Sequence, residues 1–383
     1  MKAIKNGLIY QGNEFVEQKV LLYEETIVAV VDEEEYEASY KNCIEIDAAK
    51  NYVIPGMIDV HIHGSMGADV MDGTLEALQT IKKYLVQNGV TTFLATTMTM
   101  PIDQIHKALD AVKECMKNQK KETLGADIIG VHLEGPFLRK EYKGAQNEKD
   151  IIEPNRKLIL EYLDLLKVVT IAPESPGALD LIEEFQGYVS FSLGHSGADF
   201  EQAMKAFEVG ARGVTHLFNA MTGLHHRNPG IVGAAMASDC YCELIADYHH
   251  VHPGIFSMLT KVKGFEKLLL ITDCMRAGGL PEGIYDLGGQ EVTVSSGQCR
   301  LASGTIAGSV LKLNEGLINF QKATQEALEQ LLPLVTRNQA KYLQMEDEIG
   351  SLEPGKRADI VLMNQEYEIE KTIVKGNLQY ERQ

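Results

Sequence analysis

The sequence predicts an α/β protein: a (β/α)8 barrel of the TIM type with a small β-sandwich built from both chain termini. Three observations carry this. Eight apolar runs that end in polar residues recur along the chain, from YVIPGMIDVHIHG to LLLITDCM, and such runs suit parallel strands buried on both faces. Stretches with helical patterning separate them, which is how a parallel sheet is wound with helices. Both ends of the chain instead carry short alternating segments broken by Gly and Asn, the mark of antiparallel β structure.

Taken in order, residues 1–53 contain LIYQGNEFV and TIVAVVDE and are expected to form the N-terminal part of the sandwich, without a helix. Residues 54–345 are expected to form the barrel. Its remaining strands are VTTFLATTM, DIIGVHLEGP, VVTIAPES, VSFSLGHS, GVTHLFNAM and CELIADYHH. Helices are expected over 75–88, 102–120, 154–166 and 199–210, with Asp103 and Asp199 as N-caps and Gly89 and Gly210 as stops. Residues 276–303 are rich in Gly and turns and predict a hairpin excursion after strand eight. The tail, 346–383, contains SLEPGKRADIVLMN and completes the sandwich.

With 383 residues the chain can bury one large core and still form a smaller satellite domain. No apolar run reaches the length of a membrane span. The first residues lack the apolar centre and cleavage site of a signal peptide. Six cysteines in so long a chain do not form a disulfide scaffold, so free thiols in a reducing cytoplasm are expected. Cys240 and Cys242 share a strand face; a metal pair is one reading, two small buried residues the plainer one. The chain has 36 basic and 54 acidic residues, a formal charge of −18. Such a surface repels nucleic acid and anionic membranes, which leaves a small-molecule partner. If that partner is anionic, it needs positive charge concentrated locally.

Ionisable residues cluster where such a barrel does its chemistry. His61 and His63 close strand one, Glu134 closes strand three, His195 closes strand five, His216 lies in strand six and Asp273 closes strand eight. Parallel barrel strands all end at one face, so these six converge on one mouth. Imidazoles and carboxylates are ligands for hydrolytic zinc or iron, and a further carboxylate can take and return a proton. A lone histidine near a strand end is more often a satisfied polar side chain, the reading for His106 and His252. His132 reads as support for the ligands or as barrel filling.

These motifs bring a resemblance into view. PGMIDVHIHG resembles the opening signature of the amidohydrolase superfamily, and SLEPGKRADIVLMN its closing segment. Within it VHLEGPF, GHS, THLFNAM and TDCMRAGG are similar to the N-acetylglucosamine-6-phosphate deacetylase family, in the right order over essentially the whole chain. The resemblance implies that Glu134, His195 and His216 hold a principal metal and that Asp273 is the general acid–base. It implies a second metal on His61 and His63, giving one or two divalent ions per chain. Glu134 replaces the carboxylated lysine of many superfamily relatives, and strand four ends without a lysine.

Substrate contacts follow from the same resemblance: Ala145, Asn219, Ala220, Arg227, His250, Ile306, Ala307 and Gly308, with His249 as the alternative to His250. Arg227 offers a phosphate a bidentate fork and is expected to reach the neighbouring subunit of a homodimer. Several relatives carry a histidine shortly after EGP where this chain has Gln146. Either Gln146 polarises the acetyl carbonyl weakly or a second metal does so. The implied reaction is deacetylation of N-acetyl-D-glucosamine 6-phosphate by metal-activated water, in amino-sugar breakdown and cell-wall sugar recycling. Two alternatives stay open: another amidohydrolase chemistry, such as cyclic-amide opening or deamination, and a non-catalytic sugar-phosphate sensor.

Overall fold

Eight parallel strands form the central sheet in the computed structural model, which describes residues 1–119 and 124–383. They are Met57–Ile62, Val90–Thr96, Asp127–Glu134, Leu166–Ile171, Ser190–Leu193, Gly213–Val214, Tyr241–Ile245 and Leu268–Ile271, neighbours in space as in sequence. Strand eight returns to strand one: the Asp273 amide donates to the His61 carbonyl at 2.9 Å, and Ile62 bridges Cys274. All eight apolar runs became strands. Strands one to three are buried along their whole length, because one face meets the barrel interior and the other meets helices.

Ile58, Val60, Leu94, Val168, Ile245, Leu269 and Ile271 pack together with Tyr342 and Ile349, filling the barrel below its mouth. Gly213 opens strand six beneath this plug; a Cβ there would lie 2.6 Å from the Tyr342 hydroxyl. Branched side chains of this kind make the barrel a packed core rather than a pore.

The helices follow the amphipathic pattern, with two departures. Leu75–Leu85 and a 3-10 turn end at Gly89, whose φ is 77°, and Phe200–Glu208 opens on a capping box between Asp199 and Gln202. Asp103 is not a cap: Pro101 occupies that position and Asp103 falls in the first turn of Ile102–Asn118, where a carboxylate suits the helix dipole. Lys120, expected to end this helix, lies outside the described residues. The helix expected over 154–166 is confined to Arg156–Glu161, since the chain must turn before entering strand four at Leu166.

The N-terminal region does contain a helix, Glu33–Ser39. Three glutamates occupy its first turn, favourable against the dipole, and Tyr36 anchors it against Ala3, Val20 and Leu22. The excursion after strand eight has three antiparallel strands, Gly283–Leu287, Gln290–Ser295 and Gln298–Leu301, one more than a hairpin.

Both termini build the sandwich. One sheet holds Ile27–Asp32, Lys19–Tyr23, Lys2–Lys5 and Ile44–Asp47. The other joins C-terminal strands to N-terminal ones, with Ile360–Met363 antiparallel to Tyr52–Pro55. Ile4, Leu21, Tyr23, Val53, Ile360 and Ile373 fill the space between them. A charged junction ties the sandwich to the barrel: Arg357 meets Asp127 at 3.0 Å and Asp359 at 2.8 Å, and Lys375 meets Asp127 at 2.8 Å. All six cysteines are free. Among the described residues no helix is long and apolar enough to cross a membrane.

Candidate active site

Strand ends deliver the six ionisable residues to one mouth, as parallel strands in a barrel must. His61 lies in strand one and His63 just beyond it; Glu134 is the last residue of strand three. His195 follows strand five, Asp273 follows strand eight, and His216 lies two residues past strand six rather than inside it. His195, His216 and Asp273 adopt φ values of 50°, 32° and 49°. A non-glycine residue rarely takes this left-handed conformation, and such strain concentrates at functional sites.

Glu134 is the centre of the cluster. Its Oε1 lies 3.1 Å from His195 Nε2 and 3.0 Å from His216 Nε2, while its Oε2 lies 3.2 Å from His63 Nε2. Asp273 Oδ1 completes the second side, 3.2 Å from His63 Nε2 and 3.6 Å from His61 Nε2. The carboxylate of Glu134 thus spans two groups of ligand atoms: Glu134, His195 and His216 on one side, and His61, His63 and Asp273 on the other.

Hydrogen bonds on the far side of three of the four rings, those of His61, His63 and His195, decide what their inner nitrogens present. His195 Nδ1 lies 3.0 Å from the Tyr142 carbonyl and His63 Nδ1 lies 3.3 Å from the Thr96 carbonyl. A carbonyl oxygen only accepts, so both Nδ1 atoms carry the proton. In a neutral ring the Nε2 lone pair then faces carboxylate oxygens. His61 repeats the pattern: Nδ1 is 2.9 Å from Glu243 Oε2, and its buried Nε2 has no hydrogen-bond partner among the described residues. Lone pairs and carboxylates aimed at the same points fit divalent cations.

Electrostatics agree. Burial alone would lower the His63 pKa, but hydrogen bonds to Asp273 and Glu134 and their charges raise it to about 10. Burial would raise Asp273, yet the His61 charge and the His63 hydrogen bond bring it down to about 2. Glu134 is likewise held well below the usual carboxylate range by the surrounding imidazoles, against its burial. The negative potential that holds protons on these rings also attracts a dication, which binds neutral imidazole.

His132 is excluded as a ligand although it neighbours His61. Its Nδ1 meets the Val60 carbonyl at 3.0 Å and its Nε2 meets Thr170 Oγ1 at 2.7 Å, so neither nitrogen is free. Burial lowers its pKa to about 4. It is a neutral supporting residue in the barrel.

Above the cluster lies a cavity of about 260 Å³. Ala145, Gln146, Asn219, Ala220, His250, Ile306 and Gly308 line it, together with His63, Glu134, His195, His216 and Asp273. His250 is held by Asp247 Oδ2 at 2.6 Å, whereas His249 turns away to Gln298. Two of the expected residues, Ala307 and Arg227, are not among those lining it. The Ala307 side chain packs with Met98, Met275 and Leu287, and Arg227 is exposed, its Nη1 2.7 Å from His226 Nε2. Met98, Leu287 and Thr305 line the cavity without a sequence signal. Glu243, also missed, did have one: it is an acidic residue inside the apolar run CELIA. Cys240 and Cys242 are buried away from the mouth, Cys240 Sγ lying 3.8 Å from the Ala235 carbonyl.

A (β/α)8 barrel with four imidazoles and two carboxylates at its mouth has the make-up of a metal-dependent hydrolase. Residues 52–378 match the amidohydrolase family, and the chain belongs to that family. Within it, the chain is 38% identical to an N-acetylglucosamine-6-phosphate deacetylase of Bacillus subtilis (strain 168), covering 98% of this chain and 96% of that one. It is also 38% identical to an N-acetylgalactosamine-6-phosphate deacetylase of Escherichia coli O157:H7, over 85% of this chain and 86% of the relative. The crystal structure of N-acetylglucosamine-6-phosphate deacetylase from Pasteurella multocida superposes with a TM-score of 0.93, covering 100% of both chains at 28% identity.

Proposed function

We propose that the chain hydrolyses N-acetyl-D-glucosamine 6-phosphate to D-glucosamine 6-phosphate and acetate, in amino-sugar breakdown and cell-wall sugar recycling in the cytoplasm. The observation that carries the metal-dependent part is the set of imidazoles anchored through Nδ1, whose Nε2 atoms face Glu134 and Asp273. Glu134, His195 and His216 would hold the principal ion. His61 and His63, with Asp273 beside them, would hold a second. Zinc or iron suits both sets of donors. Such ions supply Lewis-acid polarisation of the acetamide carbonyl and acidify water towards neutral pH.

The protein's own groups do the rest. Asp273, at the cavity wall opposite Glu134, accepts a proton from the attacking water as the C–O bond forms. It returns that proton to the amide nitrogen as the C–N bond breaks, and acetate and amine leave. Gln146 plays a different part. Thr99 N donates to its Oε1 at 2.7 Å, which turns Nε2 to Glu134 Oε2 at 2.8 Å. Of the two readings of Gln146, this engagement favours carbonyl polarisation by a second ion, with Gln146 holding Glu134. His250 and Asn219 orient the sugar.

The phosphate needs positive charge, and neither Lys nor Arg is among the described residues lining the cavity. We place there Arg227 of the partner subunit in a homodimer; in its own chain Arg227 points to solvent. A charge-assisted bond to phosphate contributes roughly 1.5–3 kcal/mol, so Arg227→Ala should raise KM for the phosphosugar far more than for N-acetylglucosamine. Mixing Arg227→Ala with Asp273→Asn subunits should restore activity above either parent. If exchange is confirmed and none returns, the trans arrangement is wrong.

Assays on both 6-phosphorylated epimers, a hydantoin and a purine, with metal analysis, test the whole reading. Preference for N-acetylgalactosamine 6-phosphate would move the assignment to the activity of the Escherichia coli relative. Turnover of neither sugar by metal-loaded protein would refute it.

A further inference from the structure

Glu243 belongs to strand seven, buried inside the barrel, and does not line the cavity. Its Oε2 lies 2.9 Å from His61 Nδ1 and also accepts from the backbone N–H of His216 at 3.3 Å. Its Oε1 has no hydrogen-bond partner among the described residues; His132 Nδ1 lies 3.9 Å away and is engaged with the Val60 carbonyl. A buried carboxylate with an unsatisfied oxygen costs stability unless charge nearby compensates. Packing alone does not account for an acid here, because its strand neighbours Cys242, Leu244 and Ile245 are apolar and buried.

The two contacts of Oε2 reach both halves of the metal cluster. One holds the His61 ring from behind, so that Nδ1 carries the proton and Nε2 turns its lone pair towards Glu134 and Asp273. The other holds the peptide of His216, whose φ of 32° is unfavourable without support. One acceptor beneath both positions also offsets cationic charge gathered above it.

We infer that Glu243 is a positioning residue that fixes the His61 tautomer and the His216 backbone, and so sets metal affinity on both sides of Glu134. The inference rests on the metal-site reading proposed above. Partners of this kind typically change metal affinity ~10–100-fold when removed.

The test uses full-length protein stripped of metal and titrated with zinc against a chromophoric chelator. Glu243→Leu should weaken binding ~10–100-fold, most at the step that needs His61. Glu243→Gln, which keeps an oxygen acceptor, should lose clearly less. Thermal unfolding of the metal-free variants separates this from misfolding. Imidazole ¹⁵N spectra of the zinc-loaded native protein, with His61→Asn assigning the resonance, should show His61 protonated at Nδ1. That measurement stands even if Glu243→Leu does not fold.

A proton on Nε2, native zinc affinity in a folded Glu243→Leu, or equal losses in both variants would overturn the inference. Failure of the native chain to bind zinc would overturn the site reading, and this inference with it.

Discussion

Asp273→Asn removes the proposed acid–base while leaving the three side chains of the principal ion's site in place. The backbone there is held independently of the side chain: Asp273 N donates to the His61 carbonyl at 2.9 Å, and Ser309 N donates to the Asp273 carbonyl at 2.8 Å. Asparagine tolerates the left-handed φ of 49° about as well as aspartate does. The fold should therefore survive. Glu134, His195 and His216 make no hydrogen bond to Asp273, so the principal ion should stay. Among the described residues, what disappears is the only carboxylate at the cavity wall besides Glu134, and Glu134 is already committed to three imidazoles and Gln146. Acid–base groups of this kind contribute 10²–10⁴-fold, so turnover should fall ~10²-fold or more, which is about 2.7 kcal/mol of barrier per hundredfold. The assay pairs acetate release under saturating N-acetylglucosamine 6-phosphate with metal content per chain. Turnover within tenfold of native at unchanged metal content would show that another group moves the proton.

Three further outcomes are expected. Replacing His61 and His63 together by alanine should lower metal content by about one ion per chain while the ion on Glu134, His195 and His216 remains; unchanged stoichiometry by elemental analysis would show that the pair is not a ligand set. Gly64→Ala should disturb the neighbouring His63, because the new Cβ would lie 2.2 Å from the Ala68 carbonyl oxygen; native metal content and turnover would show that the loop yields without moving His63. Arg357→Ala strips Asp127 and Asp359 of a partner at the junction of barrel and sandwich, and should cost about 3 kcal/mol of stability with little change in kcat. An unmoved denaturation midpoint would contradict this.

The eight strands were legible because strands buried on both faces must be almost wholly apolar, and their polar C-terminal residues mark one mouth by barrel geometry alone. Glu134, His195, His216 and Asp273 could be picked out for that reason. The N-terminal helix Glu33–Ser39 was not, because a seven-residue helix has too few turns to show periodicity and is stabilised by Tyr36 against distant strands. Asp103 was mistaken for a cap because proline and aspartate are both acceptable near a helix start, and only the backbone path chooses between them. The reach of Gln146 depends on the Thr99 amide, 47 residues away in sequence. The partners of Glu243 come from strand one and the turn after strand six. Composition and order along the chain thus determine the barrel, the sandwich and which ionisable residues gather at its mouth. Which nitrogen His61, His63 and His195 present, and which carboxylate oxygen each faces, depends on hydrogen bonds between segments that meet only when the barrel closes.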